Sequence, residues 1–193
     1  ASLNVGLGSR DDPALIAENR RRPVAAVLPG ARLVSVHQVH SADCITVVEP
    51  YEDRLRPHAD ALVTDRRGLI LGILTADCAP VLFADAKAGV VGAAHAGWKG
   101  AIGGVTDSTV AAMETLGASR DRIVAAIGPC IARASYEVDA GFLARFAEAD
   151  PDNERFFTEG RREDHWQFDL EAYVAHRLAA AGVRTVDARA GHL

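Results

Sequence analysis

Residues 69–100 read LILGILTADCAPVLFADAKAGVVGAAHAGWKG. Three apolar runs, 69–75, 80–84 and 90–94, follow one another at strand length. They are continuous rather than alternating, which predicts strands covered on both faces. Asp77-Cys78 is a polar break between the first two, and the third ends at His95. After it, residues 100–116 predict a helix with Gly117 as its C-cap.

Working outward, residues 33–39, 45–48, 59–64, 123–127 and 183–186 read as further strands. The chain bends at Ser41-Ala42 and turns at Arg66-Arg67-Gly68 and Gly128-Pro129. Asp12 is a helix cap with Pro13 in the first turn, and that helix should stop at about Arg22, before Pro23. Residues 139–147 and 170–181 predict two more helices, the last ended by Gly182, while 151–162 reads as a polar loop or short helix. Consecutive strands mix with strand–helix alternation. The expected class is α+β or mixed α/β in layers, not a doubly wound dinucleotide fold. No GxGxxG segment opens a helix, and no GxxxxGK[ST] segment is present.

The chain has 193 residues, of which 49% are hydrophobic and 24% charged, so it can bury a core without disulfide staples. Its 21 basic and 26 acidic residues give a net charge of -5. The densest basic runs, Arg20-Arg21-Arg22 and Arg161-Arg162, are too short to coat a nucleic acid. No apolar run reaches membrane-spanning length and no signal peptide is visible. Three cysteines make no closed disulfide framework, which points to a reducing, cytoplasmic setting. Nucleic acid and membrane are therefore not expected partners, and the sequence sets no oligomeric state.

Chemistry concentrates where apolar runs end, around His37-Gln38-Val39-His40, Asp77-Cys78 and His95-Ala96-Gly97-Trp98-Lys99. His40, Cys78 and His95 form a set that suits zinc and leaves a fourth position open, the catalytic rather than the structural arrangement. Zinc would bring the pKa of a water there toward about 7. Spacing alone is weak support, because these residues are 38 and 17 positions apart. The bland reading is a buried Cys78 and two satisfied histidines. An intermediate reading is a Cys-His nucleophilic pair without metal. On one straight strand His37 and His40 face opposite sides, and His40, at the end of its apolar run, is preferred. Asp77 either orders an imidazole or accepts backbone hydrogens in its turn, with the second slightly favoured. Gly97 and Gly100 would let amides approach an anion at the following helix start, with Trp98 as a base-stacking candidate and Lys99 as a phosphate partner; the equal rival is a tight turn with Trp98 plugging the core edge and Lys99 as plain surface. Cys130, in Gly128-Pro129-Cys130-Ile131, can line the pocket or be inert packing, and Cys44 reads as structural. His165-Trp166 reads as packing ahead of the cap at Asp169, and His58, His176 and His192 have no ligand partners at useful spacing.

Four elements in order carry a resemblance: Gln38 to His40, Ala76 to Cys78, His95 to Trp98, and Ile127 to Ile131 with Tyr136 to Val138. Segments at Leu3 to Leu7, Asp11 to Pro13, Glu18 to Arg20 and Asp60 to Asp65 also match. The sequence resembles the laccase-domain family, formerly labelled multicopper polyphenol oxidase and also called YfiH-like, over nearly its whole length. The resemblance implies a single laccase-like domain over 1–193, with a layered α/β/β/α arrangement of mixed, intertwined sheets. Members usually start before the equivalent of Leu3 and continue past that of Arg189, and the 193 residues here do not include that segment or tail, being either part of a longer protein or a shortened member.

The resemblance further implies a purine nucleoside phosphorylase with adenosine deaminase activity. Adenosine, inosine or methylthioadenosine plus phosphate would give a free base and a pentose 1-phosphate. His40, Cys78 and His95 would be the zinc ligands, with copper as the older alternative. Catalytic work would fall to Cys78, His95, His40 and Asp77, Asp77 being the proton-carrier candidate. Substrate or phosphate binding would fall to Lys99, Trp98, Arg20, Gln38 and Cys130. The rival readings are a copper-dependent polyphenol oxidase, a Cys-His hydrolase like the toxin glutamine deamidases, and a non-catalytic zinc-stabilised module linked to peptidoglycan editing. Seven histidines with one plausible cluster argue against multicopper chemistry.

Overall fold

In the computed structural model, which describes residues 3–183 and 185–188, the stretch around Asp77-Cys78 leads into a long hairpin. Strands β5 (Ala79–Asp85) and β6 (Val90–Ala96) pair antiparallel from Ala79 opposite Ala96 to Asp85 opposite Val90. Asp85 closes the turn by accepting from the amides of Lys87 and Ala88, and Gly89 takes φ 69° there. On one side of this hairpin lie β3 (Ala61–Thr64) and β2 (Cys44–Thr46), on the other β7 (Val124–Ile127) and β11 (Thr185–Ala188). The six-stranded sheet runs in the order β11-β7-β5-β6-β3-β2. Parallel pairs at its edges flank antiparallel pairs in the middle.

One face of the sheet carries α3 (Val105–Thr115) and α5 (Leu170–Ala180) over Ala61, Val63, Val81, Phe83 and Ala94. The other face meets a parallel pair, β1 (Arg32–Ser35) with β4 (Leu69–Gly72), around Val34, Val36, Leu62 and Ala93. Outside that pair lies α1 (Pro13–Val27), whose buried Arg20 reaches Ser35 of β1. The result is a mixed α/β fold with helices flanking a central region of mixed sheets, as the resemblance implied. A third sheet of β8 (Glu137–Asp139), β10 (His165–Phe168) and β9 (Phe157–Glu159) joins α4 (Ala140–Ala149) around Phe142, Phe146, Phe157 and Phe168. No helix among the described residues is long and apolar enough to cross a membrane.

Several expectations shift. Pro23 lies inside α1, not beyond it; the buried residues Ile16, Asn19 and Arg20 anchor the helix ahead of the proline, and the exposed turn after it continues to Val27. The single helix expected over 100–116 is two, α2 (Trp98–Gly103) and α3, broken at Gly104 with φ 94°. Glycine permits that backbone, and Arg177 of α5 serves the break. Its guanidinium donates to the carbonyls of Ala101 and Ile102 and pairs with Asp107 at 2.7 Å, serving the C-terminal end of α2. Strand β6 runs through His95 to Ala96, while β1 stops at Ser35 instead of Val39. Strands β8, β9 and β10 were not expected, because three or four residues of mixed polarity show no period; His165 and Trp166 belong to β10. The last strand is described over Thr185–Ala188, where 183–186 was expected.

Asp85 yields a pH prediction. Burial alone would raise its carboxyl, but Arg122 at 2.8 Å and the amides of Ala88 and Ser119 hold it at about 2, below its ordinary 3.8. A depressed folded-state pKa stabilises fully above the ordinary value, and the contribution is lost as pH falls toward the folded one. Urea midpoints measured from pH 5 to pH 2 should therefore fall less steeply for Asp85→Asn than for the parent chain.

Candidate metal centre

The three candidate ligands arrive from three backbone environments. His95 is fixed within β6 and is 4% exposed. Cys78 is half-buried immediately before β5. His40 is exposed and follows the chain's departure from the strand path, with φ 60°. That left-handed backbone is uncommon for a residue with a side chain and must be held in place by its neighbours. His37, by contrast, stacks on His58 at 4.6 Å.

What holds His40 is Asp60, fully buried just ahead of β3. Its Oδ2 accepts from the amides of Val39 at 3.1 Å and Ser41 at 2.6 Å, one on each side of His40. Its Oδ1 lies 2.8 Å from Nδ1 of His95. A carboxylate accepts, so Nδ1 of His95 carries the proton and Nε2 keeps its lone pair for a ligand. Burial would raise the Asp60 carboxyl, yet His95 and the amides of Ser41, Val39 and His40 outweigh it and hold it below the usual range. Burial pushes the His95 imidazole down against the pull of Asp60, which favours the neutral ring a metal needs.

The possible ligand atoms of His40, Cys78 and His95 all lie within 4.8 Å of one another. Cys78 Sγ is 4.0 Å from His40 Nε2, and the two imidazoles meet edge to face at 4.8 Å. Gly97 keeps this space open: a Cβ there would stand 2.8 Å from Cys78 Sγ and 3.0 Å from His40 Cδ2. At Gly100 a Cβ would stand 2.9 Å from the carbonyl oxygen of Ser41. Both glycines thus allow the turn into α2 to press on the metal-ligand loops. The anion site expected at that helix start has little dipole behind it, since α2 is six residues long. One sulfur and two imidazoles in this spacing suit a borderline-soft divalent ion.

The other expected site residues are scattered in role. The amide of Gln38 is bonded at both ends to Leu74, donating to its carbonyl at 2.7 Å and accepting from its N–H at 2.9 Å. It thereby ties the His40 loop to the stretch ahead of Cys78. Asp77 is exposed, and the imidazole-ordering role considered for it belongs to Asp60. Arg20 donates to Val5, Ser35 and Asp53. Trp98 packs on Phe142 at 4.9 Å, with Lys99 Nζ 5.5 Å from its centroid. Cys130 is buried, and burial first, with Glu171, Asp169 and Cys78 adding, pushes its thiol up to about 11, as expected of inert packing. Burial likewise pushes Cys44 up to about 12. Asp60 was missed as a site residue. Its signal was an acidic residue inside the largely apolar strand expected over 59–64, within a segment already noted for its resemblance.

The sequence model of the family described as multi-copper polyphenol oxidoreductase laccase matches residues 1–192. A purine nucleoside phosphorylase of Streptomyces coelicolor, SCO2081, is 45% identical over 150 residues, which cover 77% of this chain and 62% of that protein. A purine nucleoside phosphorylase of Streptomyces griseus, ORF3, is 47% identical over 186 residues, covering 94% and 73%. Among solved structures, YlmD from Geobacillus stearothermophilus superposes with a TM-score of 0.87 at 32% identity, covering 98% of this chain and 75% of that one. Neisseria meningitidis protein NMB0706 gives a TM-score of 0.86 at 33% identity, covering 97% and 74%. The chain thus spans roughly three-fifths to three-quarters of the relatives it matches. A family model that runs nearly end to end, and relatives that share both sequence and fold, make this chain a member of the multi-copper polyphenol oxidoreductase laccase family.

Proposed function

We propose that this chain is the catalytic domain of a zinc-dependent purine nucleoside phosphorylase, with adenosine deamination as a second activity. The observation that carries the reading is the His40–Cys78–His95 cluster with its buried Asp60, in a chain whose relatives bear the phosphorylase name. Zinc held there would supply Lewis acidity and activate water at neutral pH.

The chain's own residues do the rest. Asp60 fixes the tautomer of His95 and the backbone at His40, so neither ring reorients at the moment of reaction. Trp98 offers an indole face for a purine, and Lys99 a positive charge for phosphate. Asp77, exposed and next to Cys78 in the chain, is the candidate we offer for carrying a proton. Arg20 is committed to Asp53 and Ser35, which makes it a poorer phosphate ligand than Lys99. A cytoplasmic location accords with three free thiols.

The Cys-His hydrolase reading draws on the 4.0 Å approach of Cys78 Sγ to His40 Nε2. Chelation separates the two: a thiol hydrolase keeps its activity without metal, whereas the metal reading loses it reversibly. Multicopper oxidation fits less well, because a single His/Cys cluster forms among the described residues.

Incubation of zinc-loaded protein with adenosine should give adenine and ribose 1-phosphate only when phosphate is present, and inosine with or without it. No product in either buffer would end the enzyme reading. Cys78→Ser should lose bound zinc and turnover together; zinc retained at parent stoichiometry would remove Cys78 from the ligand set. Asp60→Asn should keep the fold by circular dichroism yet weaken zinc binding by about 10- to 100-fold in chelator competition.

A further inference from the structure

The helix that borders the metal cluster, α2, is too short to hold itself. It has six residues, and a helix of that length forms only when tertiary contacts fix it. Its start at Gly97 has no side-chain cap. Gly97, Gly100 and Gly103 recur at every third position, which puts them on one side of the turn and helix. A Cβ added to each would meet consecutive residues of the His40 loop: His40 at 3.0 Å, Ser41 at 2.9 Å and Ala42 at 3.5 Å. At Gly97 it would also meet Cys78 Sγ at 2.8 Å, and at Gly100 the carbonyl oxygen of His95 at 3.4 Å. The backbone of this one short element therefore lies directly against all three ligand-bearing stretches.

The other end of α2 is held from a distance. Arg177 of α5 donates through Nη1 to the carbonyls of Ala101 at 3.3 Å and Ile102 at 3.1 Å, and its Nη2 lies 2.7 Å from Asp107 in the first turn of α3. Carbonyls in a last turn have no intrahelical donor, and besides Arg177 only the Gly104 amide serves Ala101. One guanidinium thus joins three helices at the left-handed Gly104. Its remaining hydrogen bond goes to the Tyr173 hydroxyl at 3.5 Å, so none of its partners is a candidate ligand.

We propose that α2 is the roof of the metal centre and that Arg177 is the positioning residue that pins it, so that access to Cys78 and the exchange of a bound ion are controlled by a side chain that touches no ligand. Asp60 holds the His40 loop through the amides of Val39 and Ser41, and α2 restrains the same loop by contact. Removing the guanidinium leaves the Ile102 carbonyl unserved and frees α2 to swing about Gly104, which opens the space behind Cys78 Sγ. The inference rests on the metal reading for its ion, but the cover over Cys78 exists without one.

Arg177→Met keeps the length of the side chain and removes its donors. In metal-free protein, iodoacetamide labelling of Cys78, followed by peptide mass spectrometry, should be about tenfold faster in this variant than in the parent chain. Zinc release into excess chelator should accelerate by a similar factor at unchanged zinc stoichiometry. Arg177→Lys should recover part of both effects. Asp107→Asn, which spares the carbonyl bonds, should shift both rates the same way by less, and it keeps the test alive if Arg177→Met does not fold. Arg120→Met is the control: Arg120 also serves a helix end, at the Ala181 carbonyl, and pairs with Glu114, away from α2. It should leave both rates at the parent level. Equal labelling rates in parent and Arg177→Met would overturn the proposal, as would acceleration by Arg120→Met to the same extent. Faster labelling in a chain that binds no zinc would keep the pinned helix and discard the metal reading; zinc bound and released at the parent rate by Arg177→Met would do the reverse.

Discussion

One buried carboxylate organises the centre of this protein. Asp60 has no exposed surface, and every charge placed so deep needs its oxygens satisfied. It spends one on the His95 ring and the other on two amides that bracket His40. Its own backbone is tied as well: its N–H donates to Asp43, and its carbonyl accepts from the His95 amide at 2.7 Å. A single residue thereby couples the entry to β3, the C-terminal end of β6 and the left-handed turn at His40. Without it, the φ of 60° at His40 would lose the hydrogen bonds that offset its cost.

Close approach is the second constraint. The turn after β6 lies so near Cys78 and Ser41 that Gly97 and Gly100 admit no Cβ without displacement. Gln38 adds a two-ended clamp on Leu74, bringing the stretch before Cys78 to the His40 loop. The three donors are therefore positioned by neighbours that are not donors. Such positioning lets the ligand shell keep its geometry before any ion arrives.

Much of this was legible in the sequence, for identifiable reasons. The apolar runs of 69–100 announced the central hairpin, although cover on both faces, which their continuity suggested, is not complete: β5 is buried at alternate residues and Leu82 is 58% exposed. His40 was separable from His37 by its place at the end of a run, and the structure pairs His37 with His58 instead. The break at Gly104 uses a left-handed backbone that glycine permits, while the Arg177 guanidinium that serves the freed carbonyls lies more than seventy positions away and could not be read locally. The three short strands around the phenylalanine cluster gave no period to read. Asp60 was hidden for a similar reason: its partners at 39, 41 and 95 meet only once the sheet has formed.

The account stands on three side chains sharing one ion while leaving room for another ligand. Zinc K-edge X-ray absorption on the metal-loaded protein measures that shell directly. One sulfur at about 2.3 Å, two imidazole nitrogens at about 2.0 Å and a lighter non-protein ligand would be the predicted shell. A shell without sulfur, or one closed by four protein donors, would contradict it.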